Sequence, residues 1–130
     1  MTQASVRGVA PLAGRRVLVA EDEWFVALEV EERLQAAGAT VLGPVPSLAE
    51  ALALLDAKPP PDVALLDVNL GGEMAFPVAD RLLAEGVPVV LATGYNERDV
   101  PARPRRLPRL EKPVDAAQVV RALERVMKGG

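Results

Sequence analysis

The chain has 130 residues, half of them hydrophobic, and a formal net charge of −3. This length and apolar content predict one domain with its own core, and the slightly acidic balance gives nucleic-acid binding no electrostatic support. Because the sequence holds neither cysteine nor histidine, disulfides, thiolate metal sites and imidazole general bases are excluded.

The sequence contains no recognisable targeting or membrane segment. No apolar run reaches the roughly 18 residues that a membrane-spanning helix needs, and residues 1–14 lack the apolar block of a secretory signal. We therefore expect a cytoplasmic protein that binds no membrane. Its predicted organisation is a flexible N-terminal tail over residues 1–14 and one domain over residues 15–130.

Strands and helices alternate along the first half of the chain. A β-branched run predicts the first strand, and apolar residues at helical spacing predict a helix that stops at Gly38. Glu23, just before that helix, is expected to be a solvated acid. Ser47, with Glu50 three residues later, predicts a capped second helix. The predicted elements are strands at 16–20, 40–42 and 63–67, and helices at 24–37 and 48–57.

The second half continues the alternation with one exception. Strands are predicted at 87–92 and 107–111, and helices at 74–85, with Pro77 near its start, and after Asp115. Between the last two strands, the stretch YNERDVPARPRRLP carries three prolines, which leave room for one helical turn at most. We therefore predict a short or irregular fourth helix.

The alternation of strands and helices predicts a parallel sheet that is covered by helices on both faces. The expected fold class is α/β, with a five-stranded parallel sheet in the order 2-1-3-4-5 inside a flavodoxin-like three-layer sandwich. In such sheets, ligands bind beyond the carboxyl ends of the strands where the strand order reverses. Here that point lies between the first and third strands.

Charged and polar residues lie at this edge of the predicted sheet. Glu21 and Asp22 end the first strand, Asp67 ends the third, and Thr93 and Lys112 end the fourth and fifth. Crowded carboxylates repel one another, and a hard cation such as Mg²⁺, which prefers oxygen ligands, relieves that repulsion. Asp67 would be a nucleophile that forms an aspartyl phosphate. Lys112 and Thr93 would contact the phosphoryl oxygens.

The motifs that carry these residues resemble those of response-regulator receiver domains of bacterial two-component signalling. They are VLVAEDE, LLDVNL, LATGY and EKP, in this order and over most of the chain. The resemblance implies that Glu21 and Asp22 are an acidic pair that holds Mg²⁺ together with Asp67. It also implies that Asp67 is the phosphoacceptor.

Other residues take their roles from the same resemblance. It implies that Thr93 is a switch hydroxyl, that Lys112 is the phosphate-contacting lysine before a cis-prone Pro113, and that the main-chain carbonyl of Asn69 is a further metal ligand. Two interpretations of the Asn69 side chain stay open. It faces the phosphoryl group and tunes hydrolysis, or it forms a turn with the two glycines that follow.

The LATGY motif resembles the FATGUY subgroup of receiver domains. This likeness implies a stand-alone receiver, an irregular fourth helix, and a sensor histidine kinase of the HWE type as partner. Arg109 stands three residues before the lysine, where ordinary receivers carry an aromatic residue, so the usual aromatic switch cannot operate there. Tyr95 is the candidate replacement, with an ordinary packing role as the alternative.

The expected function is that of a single-domain response regulator and not of a turnover enzyme. A histidine kinase would phosphorylate Asp67, with Mg²⁺ as cofactor, and the signal would leave by conformational change and contact with a protein target. A phosphate sink and an interaction module that does not use phosphorylation remain as alternatives. A phosphatase is disfavoured, because its chemistry needs a second acid where Asn69 stands. We expect a monomer or a weak homodimer.

Overall fold

A five-stranded sheet forms the centre of the protein in its computed structural model, which describes residues 10–94 and 107–129. The elements follow the chain in a nearly regular alternation of strand and helix. They are β1 (Arg16–Ala20), α1 (Trp24–Ala36), β2 (Thr40–Val45), α2 (Leu48–Ala57), β3 (Val63–Asp67), β4 (Asn69–Leu70), β5 (Glu73–Met74), α3 (Phe76–Ala84), β6 (Val89–Thr93), β7 (Arg109–Glu111) and α4 (Ala116–Met127).

The sheet has the strand order β2-β1-β3-β6-β7, and every neighbouring pair is parallel. This is the predicted order 2-1-3-4-5, so the α/β fold class is confirmed. In the register, Ala20 of β1 lies opposite Leu66 of β3, and Asp67 of β3 lies opposite Ala92 of β6. The carboxyl ends of the central strands are therefore level. The predicted irregular fourth helix falls mainly on residues 95–106, outside the described part of the chain.

Alternate residues of the strands point to opposite faces of the sheet and pack in two separate hydrophobic cores. Val17 and Val19 of β1 pack in a buried cluster with α1 and α4, whereas Leu18 and Ala20 pack in a second cluster with α2 and α3. Every residue of β3 and β6 is buried, and each large apolar side chain contributes about 1.5–3 kcal/mol on burial. Among the helices of residues 10–94 and 107–129, none is long and apolar enough to cross a bilayer.

The edge strand β2 is longer than predicted. It continues through Gly43 and Pro44 to Val45, which pairs with Ala20 after a shift in register. Gly43 has φ +97°, and a Cβ there would lie 2.7 Å from the carbonyl oxygen of Val19. Glycine thus allows the irregular backbone, and an edge strand tolerates the proline.

A short antiparallel hairpin comes directly after β3 and is absent from the predicted elements. It pairs Asn69 with Met74 and Leu70 with Glu73. Because residues 73 and 74 belong to this hairpin, α3 begins at Phe76 and not at residue 74. The next strand, β6, begins at residue 89 instead of 87.

Residues 10–14, expected in the N-terminal tail, belong to the packed domain. Leu12 is fully buried in the cluster of α1 and α4, and its amide donates to the carbonyl of Ala37 at 2.9 Å. Gly38 makes room for this segment, because a Cβ there would lie 2.8 Å from Cα of Ala13. The predicted tail is therefore shorter than 14 residues, and residues 1–9 lie outside the description.

Candidate functional site

Three carboxylates converge beyond the carboxyl ends of β1 and β3. Glu21 and Asp22 directly follow β1, and Asp67 is the last residue of β3. Since β1 and β3 are parallel neighbours with Ala20 opposite Leu66, the residues that follow them meet at one edge. One oxygen from each of the three carboxylates lies within 4.8 Å of the others. The structure therefore brings together the acidic cluster expected from the sequence.

Two of these carboxylates are buried and are paired with a lysine. Glu21 is 6% exposed and Asp67 is 4% exposed, and a buried charge costs free energy unless it is paired. The amine Nζ of Lys112 lies 2.6 Å from Oδ2 of Asp67 and 3.2 Å from Oε2 of Glu21. The amide of Lys112 donates to the carbonyl of Thr93 at 2.7 Å. This bond holds the lysine at the same edge of the sheet as the carboxylates.

Glu23 is a third partner of the lysine that the sequence pattern did not indicate. Its Oε1 lies 3.2 Å from Nζ of Lys112, although its side chain is 61% exposed. It stands at the N-cap of α1 without a side-chain cap hydrogen bond. Glu23 is thus exposed at the start of the helix, as expected, and in addition it contacts the lysine. The signal in the sequence was its position directly after the acidic pair.

The crowded charges shift the pKa values of the two buried partners. Burial is the main cause that raises the pKa of Glu21 from its ordinary 4.5 to about 7; the charge of Asp67 adds to this, while the Glu23 amide and Lys112 act against it. Burial lowers the pKa of Lys112, but its contacts with Asp67, Glu21 and Glu23 outweigh burial and raise the pKa above its ordinary value. Lys112 is therefore a permanent cation in the site.

Backbone amides of the β4–β5 hairpin donate hydrogen bonds to two carboxylates of the cluster, those of Asp67 and Asp22. The amide of Asn69 donates to Oδ1 of Asp67 at 3.1 Å, and the amide of Gly71 donates to Oδ2 of Asp22 at 2.9 Å. The side-chain oxygen of Asn69 accepts a hydrogen bond from the amide of Gly72 at 2.7 Å. Of the two interpretations left open for this side chain, the structure shows the turn. The main-chain carbonyl of Asn69 as a metal ligand stays a prediction.

The predicted switch residues lie partly outside the described chain. Thr93 ends β6 and is 6% exposed, close to the lysine through its carbonyl. Arg109 begins β7 and is half-buried. Tyr95 falls in residues 95–106, so its proposed switch role lies outside the described residues. The Lys112–Pro113 peptide bond is cis, as the resemblance implied.

The donor atoms of the acidic cluster fit Mg²⁺. They are all carboxylate oxygens, which is the ligand type that this hard cation prefers. Asp22 is exposed, so solvent reaches the cluster, and Mg²⁺ usually retains several water ligands. Glu21, Asp22 and Asp67 are therefore the residues that would hold the ion.

The affinity of the protein for Mg²⁺ is expected to rise with pH and to level off above about 7, the raised pKa of Glu21. The ion requires the ionised carboxylate, so it competes with the proton of Glu21. Without metal, the folded state binds more protons at Glu21 than the unfolded chain does between pH 4.5 and about 7. Its free energy of unfolding therefore falls as pH rises through this window.

Calorimetric titration with Mg²⁺ at a series of pH values measures this dependence. Glu21→Gln removes the titrating group, and we expect it to flatten both the slope of the Mg²⁺ affinity and that of the metal-free stability against pH. A variant with the same slopes as the parent protein would show that another group is responsible.

The fold and the site together define a class of protein. Proteins of this class have an open α/β sheet, and they carry a carboxylate cluster and a lysine at the point where the strand order reverses. Comparisons with known proteins narrow this class to one family, although no family model matches the chain.

Two solved structures resemble the chain over nearly their whole length. SdrG from Sphingomonas melonis Fr1 is 39% identical, with 87% of this chain and 94% of that chain covered and a TM-score of 0.73. A response regulator receiver protein from Sinorhizobium medicae WSM419 is 25% identical, with 88% and 94% covered and a TM-score of 0.71. The chain belongs to the response-regulator receiver family, as the sequence motifs predicted. Its assignment to the FATGUY subgroup stays a prediction.

A longer relative shows the same similarity in sequence. The transcriptional regulatory protein PdtaR of Mycobacterium tuberculosis is 30% identical over 117 residues, which cover 85% of this chain and 55% of PdtaR. The chain thus spans about half the length of this curated relative. The similarity supports a role in signalling through a receiver domain.

Proposed function

We propose that this receiver domain accepts a phosphoryl group on Asp67 from a sensor histidine kinase in a reaction that requires Mg²⁺. The observation that carries the proposal is the arrangement around Asp67. Its carboxylate lies within 4.8 Å of oxygen atoms of Glu21 and Asp22 and 2.6 Å from the amine of Lys112. In this proposal Asp67 is the nucleophile, the three carboxylates hold the cation, and Lys112 supplies a fixed positive charge at the same edge of the sheet.

The proposed reaction transfers the phosphoryl group between two proteins. An oxygen of Asp67 attacks the phosphorus, and the P–N bond to the kinase histidine breaks as the new P–O bond forms. A bound Mg²⁺ would supply charge neutralisation to the phosphoryl oxygens. Lys112 donates a hydrogen bond to one of those oxygens and Thr93 to another. Such positioning and neutralisation provide most of the catalysis in phosphoryl transfer.

The proposed output is a conformational change that a protein target recognises. The phosphoryl group carries about −1.5 to −2 and replaces the single negative charge of the Asp67 carboxylate, so phosphorylation adds roughly one negative charge at most. The ion pair between Lys112 and Asp67 must then reorganise around it. Because the amide of Lys112 is bonded to the carbonyl of Thr93, movement of the lysine is coupled to the end of β6. We propose an HWE-type kinase as the donor on the basis of the LATGY motif.

The alternatives differ in the effect of phosphorylation on partner binding. A phosphate sink would be labelled without a change in partner binding. Arg109, in place of the usual aromatic residue, leaves open an interaction module whose partner binding is independent of phosphorylation. We do not propose a turnover enzyme, because Asn69 has no ionisable group and its side-chain oxygen is bonded to Gly72.

The proposal is tested by incubating the protein with acetyl phosphate and following its intact mass. We expect one phosphoryl group per chain with Mg²⁺ and none with EDTA. The same experiment with purified histidine kinases identifies the donor. Labelling that is equal with and without EDTA would contradict the required role of Mg²⁺. A protein that neither acetyl phosphate nor any of the kinases labels would contradict phosphoryl acceptance.

A further inference from the structure

Glu23 stands at the solvent side of the lysine and has no part in the proposed reaction. A groove of about 500 Å³ leads from the surface to Lys112, and its lining includes Glu23, Glu29, Gly94 and Pro113. The Glu23 carboxylate is mostly exposed yet contacts the lysine amine at 3.2 Å. A phosphoryl donor whose oxygen atoms contact Lys112 therefore meets the negative charge of Glu23.

Lys112 does not need Glu23 to stay in place. A lysine amine has three hydrogens to donate, and two of its partners, Asp67 and Glu21, are buried and close. Exposed ion pairs such as that with Glu23 contribute little to stability. The principal effect of Glu23 is therefore on the charge of the site and not on the position of the lysine.

The charge balance of the site is unfavourable for an anionic donor. Glu21, Asp22, Glu23 and Asp67 carry four negative charges when ionised, against one positive charge on Lys112. A bound divalent cation would reduce the excess to one negative charge. Removing the charge of Glu23 as well would bring the summed charge of these side chains and the cation to zero.

We propose that Glu23 is a specificity-determining residue that slows phosphorylation of Asp67 by small anionic phosphoryl donors. It shares the charge of Lys112 with the phosphoacceptor and repels a free anion that approaches the lysine. This inference rests on the proposed phosphoryl acceptance by Asp67.

The small-molecule reaction provides the test. In acetyl phosphate, the P–O bond to acetate breaks, acetate leaves with the electron pair, and the P–O bond to Asp67 forms. Glu23→Gln removes one charge and keeps the shape of the side chain. Glu29→Gln is the matched control, since Glu29 lies on the same helix and lines the same groove but forms no ion pair within residues 10–94 and 107–129.

We expect Glu23→Gln to be labelled by acetyl phosphate about three- to tenfold faster than the parent protein at low ionic strength. Each variant is measured at saturating Mg²⁺, because loss of a carboxylate weakens cation binding. The gain should be smaller with phosphoramidate, which carries less negative charge, and should largely vanish at about 1 M salt, where screening reduces the Debye length to about 3 Å. Glu29→Gln should change the rate less than about twofold.

Each other result decides against the inference. A Glu23→Gln rate equal to or below that of the parent protein would overturn it, as would an equal gain in Glu29→Gln. A rate change that is the same for both donors and insensitive to salt would indicate a structural effect through Lys112, and would overturn it too. If the parent protein is not labelled by any donor, the proposed function fails first and this inference fails with it.

Discussion

Replacing Asp67 with asparagine is expected to abolish phosphoryl labelling by acetyl phosphate or a cognate kinase in the presence of Mg²⁺. An amide has nearly the same shape as the carboxylate, but it is not a nucleophile in this chemistry. The substitution also removes the negative charge of one of the three carboxylates of the acidic cluster. Intact mass spectrometry of Asp67→Asn after incubation with the donor measures the effect.

Asp62→Asn is the control for this experiment. Asp62 directly precedes β3, and its carboxylate accepts a hydrogen bond from the amide of Arg16 at 2.8 Å. It therefore lies at the opposite end of the strand from Asp67. We expect Asp62→Asn to be labelled like the parent protein. Undiminished labelling of Asp67→Asn would exclude Asp67 as the acceptor.

Replacing Lys112 with methionine is expected to destabilise the metal-free protein by about 3 kcal/mol at a pH near 8. The substitution leaves Glu21 and Asp67 buried without their common cation, and unpaired buried charges are strongly unfavourable. Mg²⁺ should restore most of the lost stability, because it neutralises the same two carboxylates. Urea unfolding with EDTA and with saturating Mg²⁺ measures both effects.

Lys128→Met provides the comparison for this variant. Lys128 is 74% exposed and forms a loose ion pair of 3.6 Å with Glu124, so its loss should change stability by less than about 0.5 kcal/mol. Mg²⁺ should stabilise Lys112→Met by more than it stabilises the parent protein, since the lysine no longer competes with the ion. If Lys112→Met is as stable as the parent protein in EDTA, the buried-charge argument is wrong.

Elements with strong local signals could be predicted from the sequence. The predicted bounds of β1, α2 and β3 are those of the structure. For α2, the reason is visible at its start, where Oγ of Ser47 accepts from the amide of Glu50 at 3.1 Å and donates to its carboxylate. Capping and β-branched runs act over a few residues, so the sequence alone is sufficient to show them.

Features that depend on distant contacts could not be predicted in the same way. The burial of Leu12 depends on space above Gly38, and the extension of β2 through Pro44 depends on a shift in register against β1. The hairpin of β4 and β5 has only two residues in each strand. No periodicity can be recognised over so short a length.

The acidic cluster could be predicted because the strand order of the sheet determines where its residues lie. Once the strand order was expected, the residues that end β1 and β3 had to meet at one edge, and Glu21, Asp22 and Asp67 do so. The side-chain orientations of Asn69 and Glu23 could not be predicted, because each is set by a competing polar partner. Those partners are the amide of Gly72 and the amine of Lys112.

The location of the phosphoryl group tests the central claim most directly. Protein labelled in the presence of Mg²⁺ is reduced with borohydride, which converts an aspartyl phosphate to homoserine, and its peptides are sequenced by mass spectrometry. We predict homoserine at position 67 and unmodified aspartate there in the EDTA sample. Phosphoryl label that maps to another residue, with position 67 unchanged, would contradict phosphoryl acceptance by Asp67.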